Sequence, residues 1–97
     1  MSKYIPVGEL LTNEDANYRT EHFQDPESLE EFVNKLRING IDGIGAKVDG
    51  DDWDGELYLT IPQKITVELL VLIASEQPDE CRVETEDGVR FIMLWWD

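Results

Sequence analysis

The C-terminal stretch reads Cys81-Arg-Val-Glu-Thr-Glu-Asp-Gly-Val-Arg-Phe-Ile-Met-Leu-Trp-Trp-Asp97 and contains the strongest structural signal in the chain. Two β-prone runs flank Asp87-Gly88, a dipeptide that favours a two-residue hairpin turn because both of its residues accept a positive φ. This turn predicts a hairpin in which Val83 lies opposite Ile92 and side chains alternate between two faces. The face that we expect to be buried carries Cys81, Val83, Ile92, Leu94 and Trp96. The other face carries Glu84, Glu86, Phe91, Met93 and Trp95. Because it is both acidic and apolar, we interpret this second face as a candidate binding surface.

A second hairpin is predicted over residues 44–61, where apolar residues again alternate along two strands. The loop expected between its strands carries the carboxylates Asp49, Asp51, Asp52, Asp54 and Glu56, with Trp53 among them. An EF-hand calcium loop fails here, because aligning Gly55 with the required glycine leaves Gly50 and Ile61 at two ligand positions. We therefore predict a solvated loop with no metal ion and no cofactor, with an irregular cation site as the alternative. Trp53 would either fold back on the core or contact a partner.

Two helices are predicted, each preceded by a capping residue. Asp25 can cap the first, which has Pro26 at its first position and ends at Gly40. Its apolar stripe follows helical spacing and consists of Leu29, Phe32, Val33 and Leu36. The second follows Thr66 and is apolar nearly all round up to Ala74. Such a helix needs cover on two sides, from the sheet and the first helix or from a second subunit.

The N-terminal quarter is less regular. Residues 3–11 fit a short edge strand, since proline is tolerated at a sheet edge, and they fit a helical turn beginning at Pro6 almost as well. Residues 12–24 are polar without a clear period and predict a long loop. The whole chain, residues 1–97, is then a single α+β domain of helix–hairpin–helix–hairpin order. We expect a two-layer sandwich, an antiparallel sheet of four or more strands with two helices on one face.

Acidic residues outnumber basic ones by 22 to 8, which gives a net charge of −14 at pH 7. Such a protein is repelled by nucleic acid and by anionic membranes, so we expect a basic protein partner and no direct contact with either. An adaptation for solubility or for a salt-rich cytoplasm is the alternative. The single cysteine excludes an intramolecular disulfide, and the N-terminus has no signal-peptide pattern. Together these features predict a cytoplasmic protein.

The motifs of common enzyme classes are missing from the sequence. It contains no Gly-x-Ser-x-Gly, no glycine-rich phosphate loop, and only one histidine, His22, far in sequence from its only cysteine. A zinc site would need three or four His, Cys or carboxylate ligands in close spacing, and one histidine with one distant cysteine cannot supply a usual site. We therefore predict a protein that is not an enzyme.

A small acidic protein with exposed aromatic residues is suited to neutralising a basic partner, such as a nuclease, a toxin or a nucleic-acid-binding effector. Immunity proteins, antitoxins and phage inhibitors of defence systems are classes of this kind. The predicted partner-binding residues are those of the acidic loop and the mixed hairpin face: Asp49, Asp51, Asp52, Trp53, Asp54, Glu56, Glu84, Glu86, Phe91, Met93 and Trp95. The alternative is an assembly subunit that self-associates through its C-terminal hairpin. The sequence leaves the oligomeric state open between a monomer and a homodimer.

Overall fold

The computed structural model describes residues 1–97, which form six strands and three helices. In chain order these are β1 (Ser2–Pro6), α1 (Val7–Thr12), β2 (Asn17–Tyr18), α2 (Pro26–Ile38), β3 (Ile44–Asp49), β4 (Asp52–Thr60), α3 (Val67–Ser75), β5 (Glu80–Glu86) and β6 (Val89–Trp95). The α+β class is confirmed, and so is the helix–hairpin–helix–hairpin order from α2 onwards. The predicted count of two helices is wrong, because a third, α1, precedes them. None of the three has the length and hydrophobicity needed to cross a bilayer.

The main sheet has the strand order β1-β3-β4-β6-β5, and all of these neighbours are antiparallel. The sixth strand, β2, has only two residues and pairs in parallel with the start of β4. Strand β4 is therefore central, whereas β1 and β5 form the two edges. Because β6 pairs with β4 as well as with β5, it joins the C-terminal hairpin to the rest of the sheet.

The C-terminal hairpin has the predicted register. Asp87 and Gly88 adopt φ values of 51° and 79°, and Val83 lies opposite Ile92. The expected burial is correct for Ile92, Leu94 and Trp96 and wrong for Val83 and Cys81. Ile92 is buried, but Val83 on the neighbouring strand is 61% exposed and Cys81 is exposed too. The reason is that α3 does not extend over β5, so an open groove separates the helix from the edge strand.

One core contains 19 buried residues, drawn from the three helices, from one face of β3, β4 and β6, and from the adjoining residues Phe23, Ile41 and Trp96. Trp53 and Trp96 are its largest side chains. Both predicted helix starts are confirmed: the Asp25 carboxylate accepts from the Ser28 amide at 2.8 Å, and the Thr66 hydroxyl accepts from the Leu69 amide at 3.1 Å. The predicted apolar stripe of α2 is buried along its whole length.

The N-terminal segment combines both structures that the sequence allowed. It forms strand β1 up to Pro6 and then turns into helix α1. The polar segment after α1 is not a plain loop, because Asn17 and Arg19 donate their amides to the Asp51 and Trp53 carbonyls at 2.8 and 2.9 Å. These bonds hold β2 against the start of β4.

Strand β4 contains an irregularity at Gly55, where its pairing with β3 shifts register. Gly55 is buried with a φ of +94°, and its carbonyl accepts from the Trp96 amide at 3.0 Å. A side chain at this position would collide with the Trp96 carbonyl oxygen. Glycine is therefore required here for both its conformation and its lack of a Cβ.

Candidate protein-binding face

The side chains that alternate with the core residues point to the opposite side of the sheet, which we call the open face. No helix contributes to the core from that side. The open face includes Tyr4, Gly45, Lys47, Asp49, Asp54, Glu56, Tyr58, Glu80, Arg82, Glu84, Glu86, Val89, Phe91, Met93 and Trp95. It brings together residues from five strands and combines aromatic rings with carboxylates.

Aromatic residues lie across the middle of the open face. Tyr4 and Tyr58 meet edge to face with ring centroids 4.9 Å apart. Phe91 and Trp95 are half-buried on β6, and Trp95 donates its indole N–H to the Asp54 carbonyl at 3.1 Å. Fixed and partly exposed rings of this kind lose little entropy when a partner covers them.

A recess of about 600 Å³ lies at one end of the open face. Tyr4, Tyr58 and Phe91 form part of its apolar lining, and Gly45 leaves room because it has no side chain. Asp42 and Glu86 also line the recess, together with Arg37, so two carboxylates and one guanidinium group lie close to three aromatic rings. A guanidinium or ammonium group suits such surroundings, because it is attracted both to ring faces and to carboxylates.

Both side-chain cations of the open face already have partners. Lys47 Nζ lies 3.9 Å from Glu56 Oε2, and Arg82 contacts Glu80 at 3.0 Å and Glu84 at 2.7 Å. Asp49 binds the N-terminal ammonium group at 2.8 Å. Six carboxylates therefore face two side-chain cations, and the open face stays acidic after every internal pair is formed.

Tyr58 links the aromatic and acidic parts of the face. Its hydroxyl donates to Glu56 Oε2 at 2.6 Å. Burial, together with this hydrogen bond and one involving Tyr4, raises the pKa of Tyr58 far above its ordinary value. Tyr58 is therefore a neutral donor at physiological pH, and it holds the Glu56 carboxylate in place on the surface.

Two predicted partner-binding residues are not available on the surface. Trp53 is 0% exposed, donates its indole N–H to the Glu56 carbonyl at 2.9 Å, and packs edge to face on Tyr18. Met93 is 3% exposed because it lies between its strand neighbours Tyr58 and Arg82. Both residues support the fold, and we remove them from the candidate contact residues.

The predicted acidic loop is also shorter than expected. β3 ends at Asp49 and β4 begins at Asp52, so only Gly50 and Asp51 form the turn. Asp51 accepts from the Asn13 side chain at 3.0 Å, and Asp52 accepts from the Asn17 side chain at 2.9 Å. These two carboxylates bind their own chain and lie apart from the aromatic residues. Of the predicted set, Asp49, Asp54, Glu56, Glu84, Glu86, Phe91 and Trp95 are brought together on the open face.

Sequence reasoning missed Tyr4, Gly45, Lys47, Tyr58, Glu80 and Arg82 on the open face. Period-two alternation could have found Tyr58, since it follows the buried Leu57 and precedes the buried Leu59. Tyr4 could not be found in this way, because its contact with Tyr58 depends on the strand order β1-β3-β4.

The structure contains no group of three or more His, Cys, Asp or Glu side chains placed to hold a metal ion. The only histidine, His22, pairs with Glu76 at 2.9 Å and stacks on Trp96. The groups that the open face presents are aromatic rings and carboxylates.

Tyr18 is a polar group in a buried position behind β4. Its hydroxyl oxygen is buried and has no hydrogen-bond partner. Burial raises the pKa of Tyr18 to about 12, with smaller contributions from the charges of Glu27 and Asp25.

We expect Tyr18 to ionise near pH 12 in the folded protein and near pH 10 in the unfolded chain. Because the folded-state pKa is the higher one, the stability contributed by the neutral phenol is complete below pH 10 and is lost as the pH rises towards 12. Ultraviolet absorbance, followed as the pH rises in the unsubstituted protein and in the Tyr18→Phe variant, measures the ionisation of Tyr18 as the difference between the two curves. The substitution should change the free energy of unfolding by less than about 1 kcal/mol, since no hydrogen bond is lost. A difference step near pH 10 in the folded protein would contradict the expectation.

No family model, curated protein or solved structure matches this chain.

Proposed function

We propose that the protein is a non-enzymatic binding protein whose open face docks on a basic surface of another protein. The observation that carries the proposal is the recess lined by Tyr4, Tyr58 and Phe91, on a face where carboxylates outnumber cations by six to two. A two-layer arrangement suits this role, because the helices complete the core from one side and leave the other side of the sheet as a platform.

Charge and aromatic residues would act at different stages of binding. The net charge of −14 attracts a basic partner over a distance set by the Debye length, about 10 Å at 0.1 M salt. After docking, an arginine or lysine side chain would enter the recess, and Trp95, four residues from Phe91 along β6, would pack against the partner farther along the face. Buried aromatic contacts of this kind usually dominate the lifetime of a complex.

The class of partner follows from which proteins carry large basic surfaces. A nuclease, a toxin or a nucleic-acid-binding effector has a Lys- and Arg-rich groove shaped to hold phosphates. An acidic protein that covers such a groove would block access to nucleic acid. We therefore infer a neutralising role in the cytoplasm, of the kind that immunity proteins, antitoxins and phage anti-defence inhibitors perform. Self-association through Phe91, Met93 and Trp95 has less support, because Met93 offers almost no surface.

Titration of the isotope-labelled protein with an arginine-rich peptide tests the proposal by NMR. We expect amide shifts to concentrate on Lys47, Tyr58, Phe91 and Trp95. The N-terminal half of α2 is an internal control, since it carries the exposed carboxylates Glu27 and Glu30 and neither residue lines the recess. Shifts spread evenly over both acidic surfaces would indicate non-specific attraction and would contradict the proposal.

Charge reversal separates local recognition from net charge. We expect Glu56→Lys with Glu84→Lys to weaken peptide binding by about 10-fold or more, because these carboxylates border the aromatic residues. The matched control is Glu14→Lys with Glu30→Lys, which makes the same change in net charge at exposed positions outside the open face. The control should mainly slow association, by less than about 3-fold at physiological salt. Equal losses in the two double variants would show that only net charge matters.

A further inference from the structure

Helix α3 carries an apolar stripe that the chain itself does not cover. Leu69 and Ile73 face the core, but Val67, Leu70 and Val71 are 72%, 56% and 61% exposed. With Ala74 they follow the i, i+3, i+4, i+7 spacing of a helix face made for packing. The helix is therefore apolar on two sides and packed on one.

A groove of about 700 Å³ lies beside this stripe, between α3 and β5. Its walls include Ile65 and Leu70 on the helical side and Cys81 and Val83 on the strand. Arg82 is the only charged residue that lines it. On a chain with 30 charged side chains, a groove this apolar is a local exception.

The strand beside the groove has a free edge. In a hairpin with a two-residue turn, the residues that flank the turn exchange both backbone hydrogen bonds, and every second residue then repeats the pattern. Glu86, Glu84 and Arg82 therefore direct their backbone groups towards β6. Thr85, Val83 and Cys81 direct theirs outwards, where no strand lies.

We propose that a second copy of this chain occupies this surface. The two β5 strands pair antiparallel about a two-fold axis at Val83, which joins the two sheets into one. The two grooves then merge on the helix side, and the exposed α3 stripes face each other over the paired strands. An interface of this kind is self-complementary, as two-fold symmetry requires.

Charge selects the register of this pairing. With Val83 opposite its own copy, Arg82 lies opposite Glu84 of the second copy and Glu84 lies opposite its Arg82. Centring the pair on Arg82 or on Glu84 would instead place like charges directly opposite each other at the axis, which is destabilising. The Val83 register also uses the outward backbone groups of Cys81, Val83 and Thr85 as matched hydrogen-bonding pairs. It sets Glu80 opposite Glu86 only at the two ends, where water screens them.

The exposed apolar area is close to the amount that a second copy would need to cover. Ile61, Ile65, Val67, Leu70, Val71 and Val83 are 37–72% exposed and together carry on the order of 300 Å² of apolar side-chain surface. The smallest stable interfaces bury on the order of 600 Å² per partner, of which about 60% is apolar. The polar atoms of the β5 edge supply the remainder.

Sedimentation at low and high salt tests the proposal. We expect a dimer whose dissociation constant falls as salt rises from about 0.1 M to about 1 M, because screening relieves repulsion between two strongly acidic chains. Val83→Glu should raise this constant by about 100-fold or more, since it places two unpaired carboxylates at the axis. Val89→Glu is the matched control: Val89 is 52% exposed on the same hairpin, but it lies on β6 and on the open face. It should leave the dimer unchanged, and circular dichroism verifies that both variants fold.

A charge exchange tests the register. Arg82→Glu alone and Glu84→Arg alone should each weaken self-association, because each sets like charges across the axis. Mixing the two single variants should restore a dimer, since every cross-axis pair is then opposite in sign. A chain that stays monomeric at its highest soluble concentration and at high salt would overturn the proposal. Dimers unaffected by Val83→Glu would also overturn it. Binding of the arginine-rich peptide weakens with salt and uses the open face, so either proposal can fail without the other.

Discussion

Gly55→Ala is expected to lower the free energy of unfolding by about 3–5 kcal/mol, the sum of a positive-φ penalty and a steric collision. Gly55 adopts a φ of +94° in the middle of the central strand. The added methyl group would meet the Trp96 carbonyl oxygen and come within 3.4 Å of the Thr20 side chain. These are backbone and core positions, so neither neighbour can move without opening the link between β4 and the end of β6. Urea unfolding measures the loss.

Gly50→Ala is the matched control for this expectation. Gly50 also has a positive φ, +62°, but nothing lies within 4 Å of its would-be Cβ. It should therefore show only the conformational penalty, about 1 kcal/mol. If Gly55→Ala lowered the free energy of unfolding by no more than Gly50→Ala, β4 would not pack closely against Trp96.

Trp53→Ala is expected to reduce mainly the stability of the fold, and Trp95→Ala mainly the binding of the peptide. Trp53 is fully buried and its indole N–H is hydrogen-bonded, so its loss should reduce the free energy of unfolding by about 3–5 kcal/mol. Trp95 is half-buried on the open face, so its truncation should cost about 1–2 kcal/mol. Because Trp95 would contact the partner, the same change should speed dissociation of the arginine-rich peptide by about 10-fold.

Unfolding curves and peptide dissociation rates, measured on the same two variants, separate these roles. The Trp53 variant should be compared at low urea, where its folded fraction is known from the unfolding curve. Faster dissociation from a folded Trp53 variant, with unchanged dissociation from the Trp95 variant, would mean that the binding face lies elsewhere.

Those parts of the fold that depend on local chemistry could be predicted. Asp87-Gly88 fixes the C-terminal register because few residue pairs accept two positive φ values. Asp25 and Pro26 mark the start of α2, because the Asp25 side chain can accept from a free amide of the first turn and the φ of proline suits the first helical position. The sequence around Pro6 did not distinguish a strand from a helix, because the φ of proline suits both the end of a strand and the start of a helix. The acidic run from Asp52 to Glu56 did not resemble a strand, because Asp54 and Glu56 face the open side and Gly55 contributes no side chain.

The candidate site was predictable only within each hairpin. The alternation of side chains placed Phe91 and Trp95 on one face with Glu84. It contains no information on which strands of other parts of the chain lie beside this hairpin. The recess depends on Tyr4 meeting Tyr58 across β3, a contact between residues far apart in the chain. Nothing local distinguishes Trp53 from Trp95 either, since both are tryptophans next to acidic residues. Their difference arises because β2 and α2 close over one side of β4.

The exposure of β5 has a consequence for how the domain opens. Its residues are exposed or half-buried throughout, and it is hydrogen-bonded along one side only. In the monomer such a strand can detach while β3, β4 and β6 keep their shared core, so its amides exchange with solvent through a partial opening that needs far less free energy than global unfolding. The detached strand would also be a site for protease attack. The domain therefore contains two cooperative units of unequal stability, with the boundary between β5 and β6.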